Sequence, residues 1–157
     1  MIRLCLVLLI FSLPTTALAE PIIGRASVID ADTLEIHGKR IRLHGIDAPE
    51  SDQLCTRQGK SYRCGQAAAL ALDDQIAGAP VMCEPLDTDR YKRIIARCRL
   101  GGIDLGAWLV HEGHALAYRR YSLDYVDQEE WARRNRLGMW SGEFQMPWEY
   151  RKERRND

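Results

Sequence analysis

Hydrophobic and polar residues in the first third of the chain alternate in short runs that are typical of β-strands. The runs occupy 22–29, 33–37 and 40–44, and they are separated by a tight turn at 30–32 and by a second turn at Gly38. Three short strands joined by such close turns predict a meander that curls into a small barrel.

The rest of the chain predicts a long loop, two further strands and three helices. The polar stretch 45–64 is the loop, and loops of this length in a compact domain are often functional. Residue spacing and turn residues give strands at 81–86 and 94–100, and helices at 66–77, 104–112 and 122–137. The third helix is expected to begin at the cap Ser122 and to stop at Gly138. The total of five strands and three helices predicts one α+β domain.

The N-terminal segment 1–19 has the order of a secretory signal peptide. Arg3 precedes the apolar run 4–13, and Ala17-Leu18-Ala19 offers small residues to a signal peptidase. The alternative is a buried N-terminal helix. Cleavage before Glu20 would leave a domain at 20–145 and a charged tail at 146–157, exported to the periplasm or the medium. No later segment is long and apolar enough to span a membrane.

The charge balance narrows the class of protein. The formal net charge is zero, because 22 basic residues match 22 acidic residues. A protein that coats nucleic acid without specificity needs a basic surface, so this balance argues against that class. It leaves room for an enzyme with a small basic cleft.

The cysteine pattern favours disulfides over a zinc site. Of the five cysteines, Cys5 lies in the predicted signal peptide, and the remaining four allow three pairings in an exported chain. Cys83 and Cys98 are symmetric about the polar turn between two strands, so we expect them to pair, with Cys55 and Cys64 closing a short loop. The alternative zinc site lacks the short C-x₂₋₄-C spacing of zinc knuckles.

Four carboxylates fall on neighbouring turns of the predicted meander. Asp30 and Asp32 lie on the first turn, and Asp47 and Glu50 follow the third strand. Curling of the meander would bring Asp32 close to Asp47, and two close carboxylates require a cation or a proton. Ca²⁺ takes oxygen ligands, among which the Ala48 carbonyl is a candidate. The alternative is that the two earlier aspartates are ordinary turn residues.

Arginines and tyrosines could complete such a site. Arg42 lies on the third strand and Arg93 follows the polar turn DTDRYK at 87–92, and the alternative for each is a solvated surface residue. The rings of Tyr91, and of Tyr118 or Tyr121, could stack on a base. Peripheral core packing is the alternative role for these tyrosines.

Three stretches taken together resemble the thermonuclease (staphylococcal nuclease-like) family: VIDADTLEI, IRLHGIDAPE and DRYKRIIARC, with LGMWSG later in the chain. The resemblance extends from about 22 to 142. It implies an OB-type five-stranded β-barrel with three α-helices. It also implies a calcium-dependent nuclease that hydrolyses DNA and RNA with low sequence specificity, with single-stranded or flexible substrates preferred.

The same resemblance assigns roles at the reacting phosphate. Asp32 and Asp47 would hold Ca²⁺ with the Ala48 carbonyl, and Glu50 would act as general base. Two arginines would bind the scissile phosphate, namely Arg42 and Arg93. Alanine at 48 replaces a threonine that is common in the family, which keeps the carbonyl ligand.

Further residues would support the site or bind the nucleotide. Asp30 and Thr33 would support the metal ligands. The nucleotide would be bound by Arg90, Tyr91, Tyr118 and Tyr121. Lys92 occupies a position where many members of that family have glycine. The substitution concerns the geometry of the turn that positions Arg93.

Two other functions remain open at the level of sequence. One is a non-catalytic OB-type nucleic-acid-binding module, against which the complete set of site residues argues. The other is an accessory role in an exopolysaccharide pathway of the succinoglycan type. Nothing in the sequence favours a state beyond a monomer, or a membrane association of the processed chain.

Overall fold

A computed structural model describes residues 19–156 of the protein and has a mixed α+β fold. The strands are β1 Ile22–Arg25, β2 Ser27–Asp30, β3 Thr33–Ile36, β4 Lys39–Leu43, β5 Ile46–Asp47, β6 Leu54–Arg57, β7 Lys60–Arg63, β8 Pro80–Thr88, β9 Ile94–Leu100, β10 Ile103–Asp104 and β11 Leu116–Ala117. The helices are α1 Cys64–Ile76, α2 Leu105–His111, α3 Val126–Asn135 and α4 Pro147–Glu153, with a 3₁₀ turn at Gly138–Ser141. The predicted signal peptide lies outside the described residues, except for its last residue.

The main sheet has the strand order β1-β8-β9-β4-β3-β2, with β10 added beside β9. Its pairs are antiparallel except for β4 and β9, which run parallel. Only Ala26 separates β1 from β2, yet these strands lie at opposite ends of the strand order. The sheet therefore curls toward a barrel, as the meander predicted. Two small sheets, β5–β11 and β6–β7, lie beside it.

The curled sheet is filled by one large apolar cluster and flanked by a second. In the first, Leu34 and Ile41 of the meander pack with Leu72 and Ile76 of α1, all fully or almost fully buried. The second, smaller cluster contains Leu116 and Met139 and the disulfide between Cys55 and Cys64, and Trp148 of α4 packs against it. Burial of side chains of this size is worth roughly 1.5–3 kcal/mol each.

Both expected disulfides are present, Cys55–Cys64 and Cys83–Cys98. Cys83 and Cys98 are direct partners in the β8–β9 register, as their symmetry about the turn predicted. Within residues 19–156 no helix combines the length and the apolar character needed to cross a membrane.

The predicted count of five strands and three helices is wrong in detail. The expected strand at 22–29 is divided at Ala26, because the chain there passes from one end of the strand order to the other. The stretch 45–64 is not a continuous loop, since it holds β5 and the β6–β7 hairpin. That hairpin turns at Gln58 and Gly59, which both have positive φ.

Two helix boundaries also differ from the prediction. Helix α3 begins at Val126, because the Ser122 side chain accepts a hydrogen bond from the Asp124 amide in a preceding turn and does not cap the helix. It ends at Asn135, followed by the left-handed cap residue Arg136, before Gly138. The expected tail at 146–157 contains a further helix, α4, which starts with Pro147.

Candidate functional site

Strand register brings Asp32 and Arg42 together. Thr33 at the start of β3 is the cross-strand partner of Arg42 on β4, and the Leu43 amide donates to the Asp32 carbonyl at 2.8 Å. The Arg42 guanidinium lies 2.5 Å from the Asp32 carboxylate. The pairing of β3 with β4 therefore fixes a carboxylate against an arginine at one end of the sheet.

Asp47 lies on the other side of Arg42. Gly45, with a φ of 71°, turns the chain after β4, and β5 then pairs with β11 so that Asp47 faces Leu116 in the register. The Asp47 side chain is wholly buried, and its Oδ1 accepts from Arg42 Nη2 at 3.0 Å. Burial raises the pKa of Asp47, an effect that its hydrogen bond and charge pairing with Arg151 oppose. Asp32 and Asp47 thus share one guanidinium, which is the juxtaposition that the curled meander predicted.

Arg93 reaches the same region through the parallel strand pair. Arg42 on β4 is the register partner of Ile95 on β9, and Arg93 immediately precedes β9. Its guanidinium pairs with Asp89 at 2.8 Å and donates from Nη1 to Thr33 Oγ1 at 3.4 Å. Arg93 therefore lies beside Thr33, whose hydroxyl in turn donates to Asp32 at 2.9 Å.

The turn before Arg93 keeps its shape without glycine. Lys92 has a φ of 64°, in the left-handed region where glycine is usual. The Lys92 amide donates to the Asp89 carbonyl at 2.9 Å, and the Asp89 carboxylate accepts from the amides of Tyr91 and Arg93. These bonds hold the turn in shape. Burial alone would raise the pKa of Asp89, but the hydrogen bonds from Arg93 and Tyr91 outweigh that effect, and the pKa is lowered.

Glu50 is held at the mouth of the site by its backbone. Its amide donates to the buried side chain of Gln53 at 3.3 Å, and Gln53 donates onward to the Gln145 carbonyl at 2.7 Å. Gly65, the second residue of α1, packs directly against the carbonyl groups of Pro49 and Glu50, and a Cβ there would collide with them. The Glu50 side chain is 39% exposed, so its carboxylate is accessible to solvent.

Sequence reasoning missed Arg151. This residue of α4 donates from Nη2 to Asp47 Oδ2 at 2.7 Å and from Nη1 to Glu50 Oε1 at 2.9 Å. Its pairing with both carboxylates raises its pKa above the ordinary arginine value, although burial opposes this. A proline at the first position, Pro147, and basic residues in the last turn are sequence features typical of a helix at α4. No local feature of the sequence indicates where that helix packs.

Asp30 and Thr33 both contact Asp32. The Asp32 amide donates to Asp30 Oδ1 at 3.2 Å, which shapes the turn between β2 and β3. Burial and the neighbouring charge of Asp32 raise the pKa of Asp30 to about 7. Both residues therefore lie beside Asp32, and their role as supports of the metal ligands stays a prediction.

The residues expected to bind a nucleotide lie in two places. Tyr91 is 64% exposed, and the guanidinium carbons of Arg90 and Arg93 lie 4.8 Å and 5.6 Å from its ring centroid. Tyr118 follows β11, and its amide donates to the Gly45 carbonyl at 2.9 Å. One of its faces is stacked on Trp148 at a centroid distance of 5.8 Å, and the ring of Tyr121 meets it edge-on. Tyr121 is itself 68% exposed and is the more open of these two rings.

The donors present fit a hard divalent cation such as Ca²⁺. In the part of the chain that the structure describes, no group of three or more His, Cys, Asp or Glu side chains is placed to hold a metal ion. Asp32 and Asp47 nevertheless form a buried carboxylate pair that contacts Arg42 and the Thr33 hydroxyl, with the Asp30 carboxylate beside Asp32. Ca²⁺ accepts carbonyl and water oxygens beside carboxylates, so two aspartates and the Ala48 carbonyl could form part of its coordination.

Comparison with known proteins identifies the family. The family model described as staphylococcal nuclease homologue matches residues 40–142, and the chain belongs to this family. That segment contains β4 from its second residue onward, together with β5 and β9. It therefore includes Arg42, Asp47 and Arg93. Helix α4 follows it.

Three curated relatives show the range of proteins to which the chain is similar. An uncharacterized endonuclease of Escherichia coli is 35% identical over 94% of this chain and 96% of its own length. The micrococcal nuclease of Shigella flexneri is 32% identical over 96% of this chain and 90% of its own. The succinoglycan biosynthesis protein ExoI of Rhizobium meliloti (strain 1021) is 43% identical over 78% of this chain, and the match spans 66% of that relative's length.

Proposed function

We propose that the protein is an exported, calcium-dependent nuclease that hydrolyses phosphodiester bonds of DNA and RNA with low sequence specificity. The observation that carries the proposal is the chain of contacts from Arg93 through Thr33, Asp32 and Arg42 to Asp47. Membership of the staphylococcal nuclease family supports it, as do relatives named endonuclease and micrococcal nuclease. The two disulfides suit an oxidising compartment.

The roles follow from charge and position. Phosphodiester hydrolysis adds negative charge to the phosphoryl oxygens, and a guanidinium offers a permanently charged, fork-shaped donor to such oxygens. Arg42 on β4 and Arg93 immediately before the neighbouring parallel strand β9 bind the scissile phosphate in this proposal. Glu50, partly exposed and fixed by its backbone, takes the proton of the attacking water.

The metal would be held by Asp32, Asp47 and the Ala48 carbonyl. When bound, Ca²⁺ supplies Lewis-acid stabilisation of charge on a phosphoryl oxygen. Arg90 and Tyr91 in the segment after β8, and Tyr118 and Tyr121 in the segment after β11, contact the remainder of the nucleotide. No base-edge reading is required by such contacts, which accounts for low sequence specificity.

The experiment compares cleavage of single-stranded DNA and RNA by the purified protein with Ca²⁺ and with a calcium chelator. Wild type is expected to cleave both substrates with Ca²⁺ only. Glu50→Gln should reduce kcat/KM by at least about 100-fold, because a general base typically contributes about 10²–10⁴-fold. Glu153→Gln, an exposed glutamate on α4, is the matched control and should keep wild-type activity. Full activity of Glu50→Gln would refute the base assignment.

A second candidate rests on the relative with the highest of the three identities, the succinoglycan biosynthesis protein. The protein would then act as an exported accessory of an exopolysaccharide pathway. Complementing a strain that lacks the gene with wild type and with Glu50→Gln separates the two functions. Restoration of polysaccharide by Glu50→Gln would favour the accessory role, whereas DNA binding without cleavage by wild type would indicate a non-catalytic binding module.

A further inference from the structure

Helix α4 is docked beside the candidate active site by contacts along its length. Trp148 near its start stacks on Tyr118, and the preceding Pro147 is buried. Arg154 at its end pairs with Asp52 at 2.7 Å. These contacts place the middle of the helix, and with it Arg151, over the two acidic residues of the site.

The guanidinium of Arg151 holds oxygen atoms that the proposed reaction needs. Its Nη2 contacts Asp47 Oδ2 at 2.7 Å, while Arg42 contacts the other oxygen, Oδ1. Both oxygens of the buried aspartate are therefore engaged by guanidinium groups. The second nitrogen, Nη1, lies 2.9 Å from Glu50 Oε1.

We propose that Arg151 competes with the divalent cation for Asp47 and so sets the cation affinity of the site. The inference rests on the proposed function, which makes Asp47 a metal ligand. A guanidinium and a dication are both attracted to the same carboxylate and repel one another. Binding of the cation must therefore weaken the contact between Arg151 and Asp47, and by linkage Arg151 must weaken cation binding.

A positioning role for Arg151 fits the structure less well. Asp47 is already fixed by the pairing of β5 with β11 and by Arg42. Glu50 is fixed through Gln53 and through the packing of its backbone on Gly65. The Arg151 side chain is 31% exposed, so it has room to leave the carboxylates. Asp47 therefore does not depend on Arg151 for its place, and the Glu50 backbone is fixed without it. Arg151 contacts the Glu50 side chain at Oε1 and neutralises both carboxylates.

Calorimetric titration with CaCl₂ in the absence of nucleic acid tests the inference on the intact protein. Arg151→Gln should lower the Kd for Ca²⁺ by at least about tenfold, which corresponds to about 1.4 kcal/mol. Arg154→Gln is the matched control, since it removes the same charge from the C-cap of the same helix, where the ion pair is with Asp52 and not with Asp47 or Glu50. It should change the Kd by less than about twofold, because exposed charges are screened by salt. Arg151→Lys keeps the positive charge but loses the two-pronged guanidinium donor. Its Kd for Ca²⁺ should therefore lie between those of Arg151→Gln and wild type.

The outcomes separate this inference from the proposed function. If wild type binds Ca²⁺ and Arg151→Gln binds it equally well or more weakly, the competition is refuted and the proposed calcium site stands. If neither protein binds Ca²⁺ although both give wild-type circular dichroism, the calcium site and the competition fail together. Should Arg151→Gln not fold, a Kd of Arg151→Lys at or above that of wild type would also refute the competition.

Discussion

Replacing Gly65 with alanine tests how Glu50 is positioned. Gly65 lies in the first turn of α1, where alanine is favoured over glycine by about 1 kcal/mol on helix propensity alone. The added Cβ would lie 2.7 Å from the Pro49 carbonyl oxygen and still closer to that of Glu50. Real Cβ atoms do not approach a backbone oxygen within 3.0 Å, so the Glu50 backbone must move by about 1 Å.

Stability and activity should respond differently to this change. Overpacking of a filled site costs about 1–3 kcal/mol, and the gain in helix propensity offsets part of that cost. The net loss of unfolding free energy is therefore expected to be about 0–2 kcal/mol, which leaves the protein folded. A displacement of about 1 Å in a catalytic group can lower the rate by about 100-fold. We expect kcat/KM on single-stranded DNA to fall by that factor.

The assay measures kcat/KM at saturating Ca²⁺ together with urea denaturation of the same samples. Gly102→Ala is the matched control, because a Cβ at Gly102 meets no atom within 4 Å and no positive φ is required there. It should retain wild-type activity to within about twofold, as surface substitutions away from special features have small effects. A folded Gly65→Ala protein with wild-type activity would show that this packing does not position the catalytic carboxylate.

Two further predictions concern single side chains. Arg93→Lys should lower kcat/KM by at least about 100-fold with little change in stability, because a lysine cannot bridge Asp89 and the site as the guanidinium fork does. Arg99→Lys on the strand that follows Arg93 is its control, and equal activity of the two variants would contradict the role of Arg93. His114 is half-buried, and burial lowers the pKa of its imidazole from the ordinary 6.5. Just below pH 6.5 the unfolded chain therefore binds more protons at this residue than the folded chain does. Stability should therefore fall as pH decreases below 6.5, and urea denaturation at pH 7.5 and 5.0 should show a smaller fall for His114→Gln than for wild type. His111→Gln, at a more exposed ring, should behave as wild type, and a fall in His114→Gln as large as that in wild type would contradict the assignment.

The meander and its acidic turns could be predicted from local sequence patterns. Alternation fixes the face of each residue, and close turns fix which strands are neighbours, so the approach of Asp32 to Asp47 could be expected from sequence. The β6–β7 hairpin was missed although Gly59 gave a turn signal. Its strands are short, and their pairing depends on the adjacent disulfide and second cluster more than on periodicity.

Two contacts of the site join segments that are distant in sequence. Local pattern specified neither, and only the family resemblance placed Arg93 among the predicted site residues. Arg93 meets Thr33 because β9 pairs with β4 in parallel, and nothing local to either strand specifies that register. Arg151 meets Asp47 across 104 residues of sequence, through a helix whose docking depends on Trp148 and Tyr118. A charged C-terminal segment without a wide apolar face gives little sign of such docking.

The disulfide at the start of α1 links the redox state of the protein to its chemistry. Cys64 directly precedes Gly65, on which the Glu50 backbone rests, and its bond to Cys55 closes the chain segment that follows that glutamate. In a reducing cytoplasm this closure would be absent, and the support beneath the proposed catalytic base would be looser. We therefore expect a newly made chain to be a poor nuclease until its thiols are oxidised, which would spare the nucleic acids of the cell that makes it.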